Sequence, residues 1–169
     1  MAVFVGFMGA GKSSVGKEVA RRLEAEFVDV DERIAAEAGR SISEIFSSEG
    51  EGAFRAMERE AISEVVSRPG RVVAVGGGAF LDAANRRILK AYAPVFFLDV
   101  SAETARERLA GDRSRPLLPP DSAKIEAMMA QRAPSYAEAD FRIAAEGRSV
   151  EEVADEVERH LGRRRGRPG

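Results

Sequence analysis

The stretch Gly6-Phe7-Met8-Gly9-Ala10-Gly11-Lys12-Ser13 constrains this chain more than any other, because it fits G-x-x-x-x-G-K-[ST] and separates two different periodicities. Before it, Ala2 to Val5 is an unbroken apolar run that predicts a buried strand. After it, Val15, Val19, Leu23 and Phe27 recur at helical spacing and predict an amphipathic helix from residue 12 to about 25. Glycines let the backbone bend so that successive N–H groups point at phosphate oxygens, and the helix N-terminus adds partial positive charge. Lys12 supplies a compact point charge for the β and γ phosphates, and Ser13 offers a hydroxyl to Mg²⁺. In a shuffled chain of this composition, with its 16 glycines, the pattern would occur only about 0.003 times, so a phosphate cradle is the reading that fits.

Further short apolar runs at 27–30, 71–75, 94–100 and 141–144 are each followed by helical patterning. Strands alternating with helices imply a parallel sheet covered on both faces. Ser41 with Glu44 forms a capping-box signature before a short helix, and Ser101 before Ala102-Glu103-Thr104 marks a helix start. The one break in pattern is Gly111 to Ser122, whose Arg113, Arg115, Pro116, Pro119 and Pro120 predict a mobile excursion between two helices. No internal repeat or linker divides the chain, so residues 1–162 are expected to form one domain. Residues 163–169, with Arg163, Arg164, Arg165 and Arg167, are expected to be a disordered basic tail.

Composition narrows the chemistry. The 169 residues contain no cysteine and one histidine, His160. Disulfides, thiol nucleophiles and cysteine-ligated zinc are excluded, and a histidine-based triad or metal site is disfavoured. Basic side chains comprise 22 arginines and 4 lysines. With the four tail arginines set aside, the body carries a net charge of −6, which argues against nucleic-acid binding. No apolar run approaches the ~20 residues of a membrane span, and the N-terminus lacks a basic stretch followed by an apolar one. A reducing cytoplasm is the expected compartment.

The loop alone does not separate a GTPase, an ATPase motor and a small-molecule kinase. In Phe27-Val28-Asp29-Val30-Asp31 the two carboxylates would share one side if the strand continued, one near Mg²⁺ and the other near a substrate hydroxyl. Equally, Asp31 could merely cap a helix over Glu32 to Ala38. Gly76-Gly77-Gly78 after a buried strand implies close backbone approach to something. Arg55 and Glu58 lie on one helical face and could be an exposed ion pair. Arg132, two residues before Pro134 interrupts a helical pattern, could be simple surface.

Taken together, G-F-M-G-A-G-K-S at 6–13, F-V-D-V-D at 27–31, F-R-A-M-E at 54–58, G-G-G at 76–78, R-P-L-L at 115–118 and R-A-P-S-Y at 132–136 resemble the shikimate kinase family, within the nucleoside-monophosphate-kinase-like P-loop group. The resemblance runs from residue 2 to about 160. It implies an α/β, three-layer P-loop kinase fold: a central five-stranded parallel sheet with helices on both faces, a substrate-binding helical region at about 31–60, and a lid at about 111–122. It also implies ATP-dependent, Mg²⁺-assisted phosphorylation of the 3-hydroxyl of shikimate by a monomer.

On that resemblance, ATP would be held by Gly9, Ala10, Gly11, Lys12, Ser13, Ser14, Arg108 and Arg115, with Arg148 a further candidate against adenine. Ser13 and Asp29 would hold the metal. Asp31, Lys12 and Arg115 would be catalytic. Asp31, Arg55, Arg132, Gly77 and Gly78 would bind shikimate, Glu58 would aim Arg55, and Phe46, Phe54, Pro116 and Leu117 would wall the carbocycle. Phe46 could equally be an ordinary core aromatic. One departure is Glu146-Gly147-Arg148-Ser149, where the family often carries a proline. A related sugar-acid kinase, such as a gluconate kinase, and a nucleotide-dependent binding protein are the alternatives.

Overall fold

A computed structural model describes residues 1–109 and 122–165. Its strands are β1 (Ala2–Val5), β2 (Glu26–Asp29), β3 (Arg71–Ala74), β4 (Val95–Asp99) and β5 (Phe141–Ala144). The helices are α1 (Lys12–Arg22), α2 (Val30–Ala38), α3 (Ile42–Val66), α4 (Ala83–Tyr92), α5 (Ala102–Leu109), α6 (Ser122–Tyr136) and α7 (Val150–Arg165), with a 3₁₀ turn at Ala79–Leu81. The sheet order is β2-β3-β1-β4-β5, and every pairing is parallel.

The strands read as continuous apolar runs because both faces are covered. Successive side chains alternate between faces, so Ala2 and Phe4 enter one core while Val3 and Val5 enter the other. Val72 and Ala74 join the first core, with Val73 and Val75 in the second. Val15 and Val19 of α1, Ile125 of α6 and Val153 of α7 complete the first layer. Ile34 of α2, Ile62 and Val65 of α3 and Leu89 of α4 complete the second. Burying each such side chain contributes about 1.5–3 kcal/mol, so both layers hold the sheet strongly.

Strand β1 lies at the centre because the chain reaches β3 on one side of it and β4 on the other. Ligands of open parallel sheets bind where the strand order reverses in this way, beyond the strands' carboxyl ends. The phosphate loop leaves β1 at that point and the glycine triplet leaves β3 beside it.

Four local expectations change. Strand β2 ends at Asp29, so Asp31 falls in the first turn of α2 rather than on the strand. The capping box at Ser41 and Glu44 is present, but its helix runs on to Val66 across a kink at Gly50, where φ is 81° and ψ is 173°. Helix α6 continues through Pro134 to Tyr136, and α7 reaches Arg165, so the first three residues of the expected tail extend a helix. The excursion expected to act as a lid, with Arg115, Pro116 and Leu117, lies outside the described residues, as do residues 166–169.

Candidate active site

Among the described residues, two neighbouring cavities lie beyond the carboxyl ends of β1, β2 and β3. One is lined by Gly9, Gly11, Lys12, Ser13, Ser14, Asp29, Asp31 and Arg108 among others. The other is lined by Met8, Asp31, Phe46, Arg55, Gly77 and Arg132 among others. Asp31 borders both.

The first cavity is the phosphate cradle. Gly11 takes a left-handed conformation, φ 89°, as the N-cap of α1, a backbone region that glycine enters without steric cost. Gly6 must be glycine because a Cβ there would come within 2.6 Å of the Leu98 carbonyl oxygen. Lys12 Nζ donates to the carbonyls of Gly6 and Phe7, both at 3.0 Å, so the ammonium is held across the mouth of the loop. Ser13 Oγ donates to Asp29 Oδ2 at 2.5 Å, which places a hydroxyl and a carboxylate together beside the cradle. Arg108 Nη1 donates to the Gly9 carbonyl at 3.2 Å and borders this cavity.

Asp29 has a second task. Its Oδ1 accepts from the N–H groups of Asp31 at 3.0 Å and Glu32 at 3.4 Å, so Asp29 caps α2. This corrects the reading of Asp31 as the cap. With the cap supplied two residues earlier, Asp31 is carried on the first helical turn towards Gly76, where a Cβ would lie 2.6 Å from its Oδ1.

The second cavity is built around the glycine triplet, and each glycine admits one polar side chain. Gly76 faces Asp31, Gly77 faces Arg132 with a Cβ–Nη1 separation of 3.1 Å, and a Cβ on Gly78 would overlap the Arg55 guanidinium, 2.6 Å from Nη1. Arg55 Nη1 donates to both Glu58 carboxylate oxygens, at 3.0 and 2.9 Å, and Nη2 to Glu51 at 3.1 Å. Glu58 is only 1% exposed, so the pair is not the exposed one that spacing alone allowed. Burial pushes the Glu58 carboxyl up to about 7, against the lowering effect of Arg55.

Arg132 is 7% exposed and lies over the Phe7 ring at 5.3 Å. Its Nη1 has no hydrogen-bond partner among the described residues. A buried guanidinium with an unused donor, aimed at a backbone stripped of side chains, suits an anionic ligand. In the same cavity, Phe46 and Phe54 pack with ring centroids 4.7 Å apart and, with Met8 and Ile42, supply apolar lining.

Arg148 is not among the residues bordering either cavity. Its guanidinium donates to the Ala144 and Glu152 carbonyls, at 2.9 and 2.7 Å, and to Glu156 at 2.5 Å. Glu146, in the same loop, accepts from Ser101 N, Ser101 Oγ and Thr104 Oγ1 and ties this loop to the start of α5. A readable signal lay here: Ser149-x-x-Glu152 is a capping box, and both of its hydrogen bonds are made. Met8 and Ile42 carried no such signal, because an apolar residue that lines a site looks like one that fills a core.

Fold and site together define an ATP-dependent small-molecule kinase of the P-loop class, with a glycine-rich phosphate loop and a separate arginine-lined cavity that meet at one carboxylate. The shikimate kinase family model matches residues 8–162, and the chain belongs to that family. It is 47% identical to the shikimate kinase of Geobacter sulfurreducens over 157 residues, covering 92% of this chain and 87% of that protein. It is 42% identical to that of Persephonella marina, covering 94% and 95%. Among solved structures, shikimate kinase from Acinetobacter baumannii in complex with shikimate superposes with a TM-score of 0.94 at 34% identity, covering 98% of this chain and 94% of that one. A gluconokinase from Sinorhizobium meliloti is more distant, at TM-score 0.61 and 18% identity, and shares the fold alone.

Proposed function

We propose that this shikimate kinase joins its two substrates at Asp31, with ATP in the cradle formed by Gly9 to Ser14 and shikimate in the cavity floored by Gly76, Gly77 and Gly78. The observation that carries this reading is that Asp31 is the acidic side chain bordering both cavities. Arg55, Arg132 and the backbone at Gly77 and Gly78 grip the shikimate carboxylate, and the apolar wall of Phe46 and Phe54 receives the ring. Asp31 then accepts the proton of the 3-hydroxyl as its oxygen attacks the γ-phosphorus and the bond to the β–γ bridging oxygen breaks. Lys12 turns from the loop carbonyls to the phosphates. Such catalysis is mostly positioning and charge stabilisation, which two arginine forks and a rigid cradle supply.

Ser13 Oγ and Asp29 Oδ2, 2.5 Å apart beside the cradle, are the hard oxygen donors that Mg²⁺ prefers. Among the described residues no cluster of three or more acidic or histidine side chains could hold a metal alone, which suits an ion carried mainly by phosphates and water. When bound, Mg²⁺ would neutralise charge on the β and γ phosphates. Asp29 would reach it through water. Arg115 is assigned to the phosphoryl group from its sequence match, and Arg108 to the nucleotide from its place at the cradle. The engaged Arg148 braces the start of α7 and is given no part in binding adenine.

The chain is read as a cytoplasmic monomer of one domain over residues 1–162, with ATP and shikimate as its partners and neither nucleic acid nor membrane. No helix of the described residues is long and apolar enough to cross a membrane. ADP release measured with shikimate and with gluconate as acceptors tests the reaction. Turnover with shikimate is expected, and turnover with gluconate alone would contradict it.

A further inference from the structure

Tyr136 touches no reacting group, yet it is a core aromatic whose polar end reaches the site. It is 3% exposed, and its hydroxyl donates to the Gly77 carbonyl at 2.6 Å, so a helix side chain reaches the backbone on the floor of the substrate cavity. Its ring stacks on Phe97 of β4, with centroids 4.8 Å apart and an interplanar angle of 16°, which fixes the ring and with it the position of the hydroxyl oxygen. Burial raises the phenol above its ordinary pKa, so the group remains a donor at neutral pH.

Arg132 lies one helical turn earlier on the same helix, so residues 132 and 136 share a face. Both meet the same glycine: the guanidinium lies against Gly77 from the cavity side, and the hydroxyl holds its carbonyl. On the far side of the triplet, Asn85 Nδ2 donates to the Ala79 carbonyl at 3.1 Å. Two carbonyls of the turn, those of Gly77 and Ala79, are therefore pinned by buried side chains. Among the described residues, the N–H groups of Gly77 and Gly78 donate to no backbone carbonyl.

We infer that Tyr136 is a positioning residue for the substrate anion, holding the Arg132 side of α6 in register with the Gly77 backbone so that guanidinium and amides converge on one carboxylate. The inference rests on Arg132 and the glycine triplet being the carboxylate site. Tyr136 touches no reacting atom, so its effect falls on acceptor binding and is transmitted through Arg132 and Gly77.

A double-mutant cycle tests this, with Tyr136→Phe, Arg132→Ala and the double variant assayed for KM of shikimate, KM of ATP and kcat, and with shikimate affinity measured by calorimetry without nucleotide. Tyr136→Phe keeps the ring on Phe97 and removes only the hydroxyl. It is expected to raise KM for shikimate roughly tenfold, with KM for ATP and kcat within about twofold of the parent. In the Arg132→Ala background the same change is expected to add less than about twofold, since the group it positions is gone. If Arg132→Ala weakens shikimate and Tyr136→Phe does not, the inference is overturned while the carboxylate site stands. Fully additive effects, or an equal rise in both Michaelis constants, would show a merely structural tyrosine. An Arg132→Ala enzyme with unchanged shikimate affinity would remove the carboxylate site itself.

Discussion

Asp29 and Asp31 are two residues apart and chemically identical, and the chain gives them different work through where a strand stops. Because β2 ends at Asp29, that side chain turns back to cap α2 and to accept from Ser13, while Asp31 rides the first helical turn into the space between the two cavities. Glu58 shows the same dependence on placement. Its carboxyl titrates near 4.5 when unfolded and near 7 when buried, so between those values the native state holds a proton that the unfolded state has lost. The stability this contributes is present below 4.5 and lost as pH rises through 7, a change of at most about 3 kcal/mol. Urea unfolding of Glu58→Gln across that window should show a shallower fall in stability with pH than the parent. An identical slope would show that Glu58 keeps its ordinary pKa in the folded state.

At the scale of elements, the glycine triplet is the clearest case of a motif whose purpose is space. Each of its three positions would collide with, or crowd, a different polar side chain: Asp31, Arg132 and Arg55. Gly78 itself has φ −97° and ψ −17°, which alanine tolerates, so the requirement there is steric and not conformational. Gly78→Ala should therefore keep its melting temperature within a few degrees while raising KM for shikimate at least about tenfold, because the Arg55 guanidinium must move. Unfolding, or unchanged kinetics, would contradict that view.

Elements were also where the sequence was most and least readable. Strands β1, β3 and β5 and the capping box at Ser41 follow from apolar runs and local hydrogen-bond chemistry, which act over a few residues. The Gly50 kink, the passage of α6 through Pro134 and the engagement of Arg148 depend on what packs against them. Arg148 illustrates the reason: its partners Glu152 and Glu156 lie on the helix that its own loop begins, and an arginine near a nucleotide site reads the same whether it faces in or out.

For the whole molecule, the decisive feature is that one parallel sheet reverses its strand order at β1 and so brings the loop after β1 beside the triplet after β3. Both motifs were legible as motifs, and the resemblance placed them in one site. The meeting of two cavities at Asp31 needed the fold, since residues 12, 31, 55, 77 and 132 converge only once the strands are paired. The most direct test of that meeting is Asp31→Asn, with turnover and ATP dissociation constant measured on the same preparation. Turnover should fall at least about a hundredfold while ATP affinity stays within about threefold, as expected for a group that acts on the acceptor hydroxyl. Unimpaired turnover, or an equal loss of turnover and ATP affinity, would contradict the assignment of Asp31 to the junction of the two substrates.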